Sequence, residues 1–291
     1  MRYAYYTGCA AKGTSPELHH STLAVAEKLG IQLDEMKSAA CCGAGVVEEH
    51  DPDLSRALNA RTLALAEKQG LDILTVCNIC TQQLASVNKE LKEKPALLEK
   101  TNEVLGKVGL SYKGTVNVTH LLWVLVRDYG IEKLKAQVTN PLTGWKIAPF
   151  YGCQILRPEE VLGFEDPYNP QSIEDIIKAL GADPVDYDEK VKCCGFLIDT
   201  IQESTAVGMT GRCLAGAKRA GADCVVTPCP LCHLNLDAYQ GQAANKVGVT
   251  LDMPVFHLPQ LVGVALGIQT VTLRLTKNFV SPYRLVHKVA R

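Results

Sequence analysis

Residues 72–80 read DILTVCNIC and residues 223–232 read DCVVTPCPLC, so a short apolar run leads into a Cys-x-x-Cys pair twice. Apolar runs of this length, rich in β-branched residues, predict buried strands. Each predicted strand therefore carries a pair of thiols at its carboxyl end. The residues before each stretch repeat as well.

Ten of the twelve cysteines form one five-cysteine pattern that occurs twice. A lone cysteine is followed by an adjacent pair and then by Cys-x-x-Cys: Cys9, Cys41, Cys42, Cys77 and Cys80 in the first set, and Cys153, Cys193, Cys194, Cys229 and Cys232 in the second. The second gap is 34 residues in both sets, whereas the first gap is 31 in one and 39 in the other. This difference predicts an insertion in the second set, for which the turn-rich segment DPYNPQ at 166–171 is suitable.

Strands and helices alternate in the same order around both sets. In the first half, RYAYYTG leads into the lone cysteine, and helices are predicted over 15–29, with Ser15 as N-cap, and over 52–69. In the second half, WKIAPFYG precedes the lone cysteine, and helices are predicted over 172–181 and 200–219. This alternation predicts an α/β protein made of two pseudo-twofold-related repeats with parallel βαβ units and cysteines at strand carboxyl ends.

The expected division is an N-terminal repeat with connecting helices at 1–145, a C-terminal repeat at 146–268 and a basic amphipathic tail at 269–291. The segment between the repeats, from about residue 95 to residue 138, is predicted to be a connecting helical layer. Its apolar centre is too short to span a membrane.

Composition limits the thiol chemistry. A chain of 291 residues with 47% hydrophobic content can bury a full core without disulfides. The first residues do not resemble a secretory signal, so we expect a reducing cytoplasm, where clustered thiolates hold metal or carry out redox reactions. A net charge of -1 argues against nucleic-acid binding.

Five thiolates in one set suit a multinuclear centre. Zinc normally takes four ligands, and two adjacent cysteines do not easily close on one ion, although they can reach different irons of one cluster. A cubane [4Fe-4S] cluster uses four cysteines, so five predict either a spare thiolate or a more open cluster. Gly43 and Gly195, after the adjacent pairs, suit turns where a side chain would crowd the cofactor. Zinc in the N-terminal set and buried cysteines without a cofactor are the alternatives.

The chain resembles the CCG-domain family, and within it the B subunit of heterodisulfide reductase. The resemblance rests on Cys41-Cys42-Gly43, Cys193-Cys194-Gly195, the two lone cysteines and the two Cys-x-x-Cys pairs, and it covers nearly the whole chain. The gap of 34 residues is about one shorter than the usual family pattern. The resemblance implies that each set binds a noncubane [4Fe-4S] cluster through its five cysteines, and that a disulfide substrate binds between the two clusters.

The implied function is that of an iron-sulfur redox subunit that reduces or forms a disulfide. Splitting a disulfide takes two electrons, which two one-electron clusters can deliver. Electrons would come from a ferredoxin-like iron-sulfur subunit, with a flavoprotein subunit in the same complex. The disulfide would be a small molecule or a protein-bound lipoyl group.

A second branch of the family gives an alternative. The runs HLPQLVGVALGI at 257–268, NFVSP at 278–282, HLLWVLVRDYG at 120–130 and PFYGCQILRP at 149–158 are similar to the CCG subunits of E-type succinate:quinone oxidoreductases and of sulfur-oxidising heterodisulfide reductase-like complexes. The resemblance then implies electron transfer to or from quinone, in succinate or fumarate chemistry. A zinc-stabilised scaffold subunit is the third hypothesis.

The tail bears on location. No acidic residue follows Asp252, whereas basic residues accumulate: Arg274, Lys277, Arg284, Lys288 and Arg291. Such a segment can contact an anionic membrane surface or an acidic partner subunit, or it can pack on its own domain. We therefore expect a cytoplasmic protein with potential peripheral contact at the membrane.

Three further residues lie outside the two sets. His233 follows Cys232 and is a candidate for a proton or hydrogen-bond donor near the second set; a supporting or solvated histidine is the alternative. Cys213 and Cys224 are interpreted as core residues. No dinucleotide-binding or Walker motif is present in the sequence.

Overall fold

Two four-stranded sheets, all parallel, make up the centre of the protein in a computed structural model that describes residues 1–289. Their strands are β1 Arg2–Tyr6, β2 Gln32–Glu35, β3 Ile73–Thr75 and β4 Val118–His120 in the first sheet, and β5 Lys146–Pro149, β6 Asp183–Pro184, β7 Cys224–Thr227 and β8 Val255–His257 in the second. The strand orders, β2-β1-β3-β4 and β6-β5-β7-β8, are equivalent. The predicted α/β fold with two repeats is confirmed.

Helices connect the strands. Over the described residues they are α1 Gly8–Lys12, α2 Pro16–Lys28, α3 Val46–His50, α4 Pro52–Gln69, α5 Asn78–Glu93, α6 Pro95–Gly106, α7 Leu121–Trp123, α8 Ile131–Ala136, α9 Glu159–Leu162, α10 Ser172–Ala179, α11 Glu203–Arg219, α12 Pro230–Ala238, α13 Gln240–Val247, α14 Leu258–Ala265 and α15 Tyr283–Val289. A π-helix spans Val124–Gly130, and 3-10 turns span Asp188–Val191, Phe196–Ile198 and Leu275–Lys277.

Most predicted elements lie where the sequence placed them. The helix predicted over 52–69 is α4, with the same bounds, and the helix predicted from residue 15 is α2. Ser15 does occupy the N-cap of α2, but its side chain makes no capping hydrogen bond. The helix predicted from residue 200 begins later, at Glu203 in α11.

The segment between the repeats is not only a helical layer. Val118–His120 forms β4, which pairs in parallel with β3, so the prediction of helices alone was wrong there. A three-residue strand that is followed directly by a helix leaves almost no alternating pattern to detect. In the second repeat, residues 163–171 between α9 and α10 are irregular and contain the DPYNPQ segment proposed as the insertion.

A hydrophobic core is shared by both repeats. One buried cluster combines Tyr5 and Leu18 of the first repeat with Ile147 and Phe256 of the second. Two smaller clusters lie within the individual repeats. The two repeats therefore pack as one body.

The tail packs on this body. Leu273 and Leu275 are fully buried in the shared core, and Leu285 and Val286 are nearly so. Lys277 and Arg284 are exposed, whereas the predicted contributions of the Lys288 side chain and of Arg291 lie outside the described part of the chain. Among the described residues, no helix combines the length and apolar character that a membrane crossing requires.

Candidate iron-sulfur sites

The first cysteine set lies at the carboxyl edge of the first sheet. Cys9 follows β1 within α1, and Cys77 follows β3 as the N-cap of α5. Because β1 and β3 are paired neighbours, their ends bring these two cysteines to the same edge. The loop between β2 and α3 adds the adjacent pair: the Cys41 and Cys9 sulfurs are 3.7 Å apart, as are those of Cys42 and Cys80.

The second set repeats this arrangement. Cys153 follows β5, Cys229 is the N-cap of α12, and Cys232 lies in the first turn of that helix. The Cys193 sulfur accepts a hydrogen bond from the Gly195 amide at 3.4 Å, as the Cys41 sulfur does from the Gly43 amide at 3.5 Å. All ten predicted cysteines are thus brought into two groups of five.

Exposure divides each set in the same way. The lone cysteine and the first of the adjacent pair are exposed or half-buried, and the other three cysteines are buried. Each set therefore has an open side and an inner side. None of the twelve cysteines, all of which the structure describes, forms a disulfide.

Neighbouring thiols perturb one another strongly. The pKa of Cys41 is lowered, first by the hydrogen bond from the Cys42 thiol and then by that from Cys9, whereas the pKa of Cys42 is raised by the thiolate beside it. The pKa of Cys193 is lowered in the same manner by Cys153 and Cys194. Thiols packed this closely cannot all ionise unless a cation offsets their repulsion. This behaviour fits a metal centre.

Gly8 and Gly152 make room beside the sulfurs. Both have a φ of +70°, and a Cβ on either would lie 3.0 Å from a sulfur, Cys80 in the first set and Cys232 in the second. Five sulfur donors around the space that each glycine leaves fit an iron-sulfur cluster, and they exceed the four ligands of a zinc site.

Gly43 and Gly195 lie in turns, as the sequence predicted, but the atoms that a side chain there would crowd are not those of the cofactor site. Both have positive φ, as a tight turn requires. A Cβ on Gly43 would meet the Val47 side chain, and one on Gly195 would meet the Ala206 backbone at 2.8 Å. The close approach is therefore to the following helix rather than to the sulfurs.

The two sets meet at the interface between the repeats. The pKa of Cys77 is raised first by the Cys229 thiol, and the pKa of Cys229 is lowered by Cys232 and Cys77, so the two Cys-x-x-Cys loops face each other. The Asn78 side-chain amide donates to the Tyr151 carbonyl at 2.9 Å and thereby links the first loop to the segment before Cys153.

Several residues at this site were not identified from the sequence. Beside the second set, a cavity is lined by residues from both repeats, among them Asn78, Gln154, Phe196 and Leu231. Asn78 and Leu231 lie inside the Cys-x-x-Cys pairs, a position that could have signalled their role. His120 is also buried, and its Nδ1 accepts a hydrogen bond from the Leu122 amide at 3.0 Å.

The remaining candidates are buried. His233 is 4% exposed, so it is not a solvated histidine, and its Nε2 lies 3.0 Å from the Val255 carbonyl oxygen. Cys224 is buried in β7, as expected of a core residue. Cys213 is buried in α11, and its thiol lies 3.8 Å from the Cys193 carbonyl oxygen, so this core residue also contacts the second set.

The fold and these paired thiol sites define a class of α/β redox proteins with duplicated cysteine-rich units. The Cysteine-rich domain family, CCG, matches the chain at residues 3–85 and 147–237. The chain belongs to this family.

Three relatives extend the similarity over nearly the whole chain. The 8-methylmenaquinol:fumarate reductase membrane anchor subunit of Wolinella succinogenes is 42% identical, covering 97% of this chain and 98% of its own. The B subunit of the Ferredoxin/F(420)H(2)-dependent CoB-CoM heterodisulfide reductase of Methanosarcina acetivorans is 34% identical over 99% and 97%. A heterodisulfide reductase B-subunit-like protein of Archaeoglobus profundus is 32% identical over 92% and 91%.

A solved structure shares the fold alone. The crystal structure of a hypothetical protein from Helicobacter pylori superposes with a TM-score of 0.77 at 15% identity, covering 96% of this chain and 52% of that one. The family match and the two relatives named as reductase subunits show that the chain is an iron-sulfur oxidoreductase subunit.

Proposed function

We propose that each five-cysteine set holds one noncubane [4Fe-4S] cluster. The ligands would be Cys9, Cys41, Cys42, Cys77 and Cys80 for the first cluster, and Cys153, Cys193, Cys194, Cys229 and Cys232 for the second. The observation that carries the proposal is the convergence of both sets at one interface, with Cys77 facing Cys229. When bound, such clusters supply one-electron transfer.

The protein residues position these two sites relative to each other. Asn78 joins the first Cys-x-x-Cys loop to the second repeat. The side chains of Ile79, which is buried, and Leu231, which is half-buried, limit the access of water to the inner sulfurs. Two adjacent one-electron centres suit a two-electron reaction.

The open sides of the sites support work within a complex. Val46, Leu197 and Ile201 follow the adjacent cysteine pairs, and their side chains are 74%, 42% and 81% exposed. Three exposed apolar side chains close to the two sites suit contact with another protein. We propose that an iron-sulfur subunit docks there and that a flavoprotein subunit completes the complex.

For the reaction, we place quinol-linked fumarate or succinate chemistry first. The two relatives both align over nearly the whole chain, so coverage does not separate the hypotheses, and the difference between 42% and 34% identity orders them. Disulfide reduction or formation is the second candidate, because adjacent one-electron centres can serve both sulfurs of one disulfide. This order is the reverse of the one that the sequence favoured.

We also propose that the tail contacts an anionic membrane surface. The division at 1–145, 146–268 and 269–291 is retained, but four leucine and valine side chains of the third part are buried in the shared core: Leu273, Leu275, Leu285 and Val286. Contact would rest on the exposed Lys277, Phe279 and Arg284. Co-sedimentation with anionic but not neutral vesicles would support it, and equal partitioning would refute it.

Cluster content tests the site assignment. Anaerobically prepared protein is expected to contain about eight iron and eight sulfide per chain, and Cys42→Ala about half of each. Cys224→Ala is the matched control, because it removes a buried thiol outside both sets. Four iron with stoichiometric zinc in the unsubstituted protein would contradict the two-cluster proposal.

Reaction assays separate the two candidates. The native complex is purified and assayed for quinol-dependent fumarate reduction and for reduction of small disulfides. A flavoprotein partner and fumarate reduction would support the first candidate. Disulfide reduction without fumarate reduction would replace it with the second.

A further inference from the structure

Three buried side chains outside the cysteine sets converge from distant parts of the chain. Glu17 lies in the first turn of α2, His233 lies in α12, and His257 ends β8. One potential ligand atom of each lies within 4.8 Å of the other two. Their exposed fractions are 6%, 4% and 0%.

The contacts that these three side chains make leave ligand atoms available to bind an ion. His257 Nε2 lies 3.2 Å from a Glu17 carboxylate oxygen, and the two imidazole rings stack with centroids 3.6 Å apart. His233 Nε2 lies 3.0 Å from the Val255 carbonyl oxygen, which can only accept, and with the hydrogen on Nε2 the Nδ1 atom keeps its lone pair. The Asn278 amide nitrogen lies 3.3 Å from the same Nε2, but its shorter bond, at 2.6 Å, is to the Val255 oxygen. Metal-binding histidines commonly hold their second ring nitrogen in this way.

The Glu17 carboxylate has no cationic side chain in contact with it. Among the side chains of residues 1–287, its one ion-pair contact within 4.0 Å is with His257, and no lysine or arginine nitrogen comes that close. Burial of a carboxylate without a cation is unfavourable. A bound cation would supply the missing charge.

A cavity gives access to this group of three side chains from outside. It has a volume of about 320 Å³, and its lining includes Glu17, His233, Thr14 and Lys277. The space is large enough to admit a metal ion and to keep water in the ligand positions that the protein leaves open.

We propose that Glu17, His233 and His257 form a binding site for a divalent transition-metal ion, with zinc the preferred one. Two imidazoles and one carboxylate with an open position are a donor set that zinc takes in proteins. One ring would have to turn out of the stack to bind the ion. The site joins α2 of the first repeat to α12 and β8 of the second, beside Cys232, and it does not depend on the proposed function.

Zinc loading of the cluster-containing full chain tests the site. The expected result is one retained zinc whose X-ray absorption spectrum shows only nitrogen and oxygen neighbours at about 2.0–2.2 Å. Sulfur neighbours at about 2.3 Å would place the zinc in a cysteine set and overturn the proposal. Failure to retain zinc would overturn it as well.

Substitutions assign the ligands. Glu17→Gln and His257→Asn are each expected to weaken zinc binding by at least about tenfold, since loss of even an outer partner of a ligand can do this. His50→Asn removes an exposed imidazole and is the matched control. Lys277→Met removes a positive charge from the cavity lining and is expected to tighten binding.

Iron content serves as the fold check for each variant. If His257→Asn loses its iron, its fold is disturbed and its zinc affinity is not used. The near-isosteric Glu17→Gln then tests the site alone. Zinc affinity in Glu17→Gln equal to that of the unsubstituted protein would refute the site.

Discussion

Gly8 and Gly152 hold the same left-handed backbone at equivalent places in the two repeats. Each precedes the lone cysteine of its set and faces the last one, at a distance where a Cβ would be 3.0 Å from sulfur. An L-residue with φ of +70° is strained even in open space. Space for the cofactor and backbone conformation thus both require glycine here.

Gly152→Ala separates these two requirements when it is compared with Gly30→Ala. Gly30 has φ of +69° and no atom within 4 Å of an added Cβ, so both variants carry backbone strain of roughly 1–2 kcal/mol. Only Gly152→Ala also crowds Cys232, and its iron content is expected to fall from about eight to about four per chain. Equal iron content in the two variants would show that the space beside the Cys232 sulfur does not require a glycine at position 152.

The spacing of cysteines along the chain identified the ten candidate ligands, because the same five-cysteine pattern occurs twice in the sequence. It could not reveal Glu17 with His257, which are 240 residues apart and occur once. Nor could it reveal that Cys77 faces Cys229. Contacts across the interface arise from packing of the repeats, which leaves no periodic trace in the sequence.

A buried ion pair fixes the segment before Cys153. Lys190, in the 3-10 turn Asp188–Val191, donates to Glu174 of α10 at 2.8 Å, and both side chains are more than nine-tenths buried. Glu174 also accepts from the Tyr151 hydroxyl, and the Tyr151 amide donates to the Lys190 carbonyl at 2.9 Å. The pair therefore connects a turn, a helix and the loop of the second set.

Lys190→Met is expected to lower the free energy of unfolding by about 3–5 kcal/mol, because it leaves Glu174 buried without its cation. Lys178→Met, which breaks an exposed pair with Asp175, should change it by less than about 1 kcal/mol. Urea unfolding of the two variants measures the difference. A loss at Lys190 as small as that at Lys178 would show that the buried pair contributes little.

Long helices and the strands that enter the cysteines were predictable, whereas the outer strands were not. The helix α4 has a Pro at its start and a glycine at its end, both of which are strong boundary signals. By contrast, β4, β6 and β8 have two or three residues each. Such strands are defined by their neighbours in the sheet rather than by their own pattern.

The chain beyond α14 is held to the second repeat by a buried carboxylate. Asp237 of α12 is 1% exposed and accepts from the amides of Phe279 and Val280, at 2.7 Å and 3.1 Å. Asn278, beside them, donates to the Val255 carbonyl at 2.6 Å. Together with the buried Leu273 and Leu275, these bonds make the tail part of the folded body.

Burial, the largest cause, raises the pKa of Asp237 from 3.8 to about 7. The folded state then keeps a proton that the unfolded state has lost, so this group's contribution to stability falls as pH rises from about 4 through 7. Asp237→Asn removes that loss. The variant's stability relative to the unsubstituted protein should therefore increase by about 2 kcal/mol between pH 5.5 and pH 8, measured by urea unfolding. Asp252→Asn, at a side chain that is 72% exposed, controls for net charge, and a difference independent of pH would contradict the raised pKa.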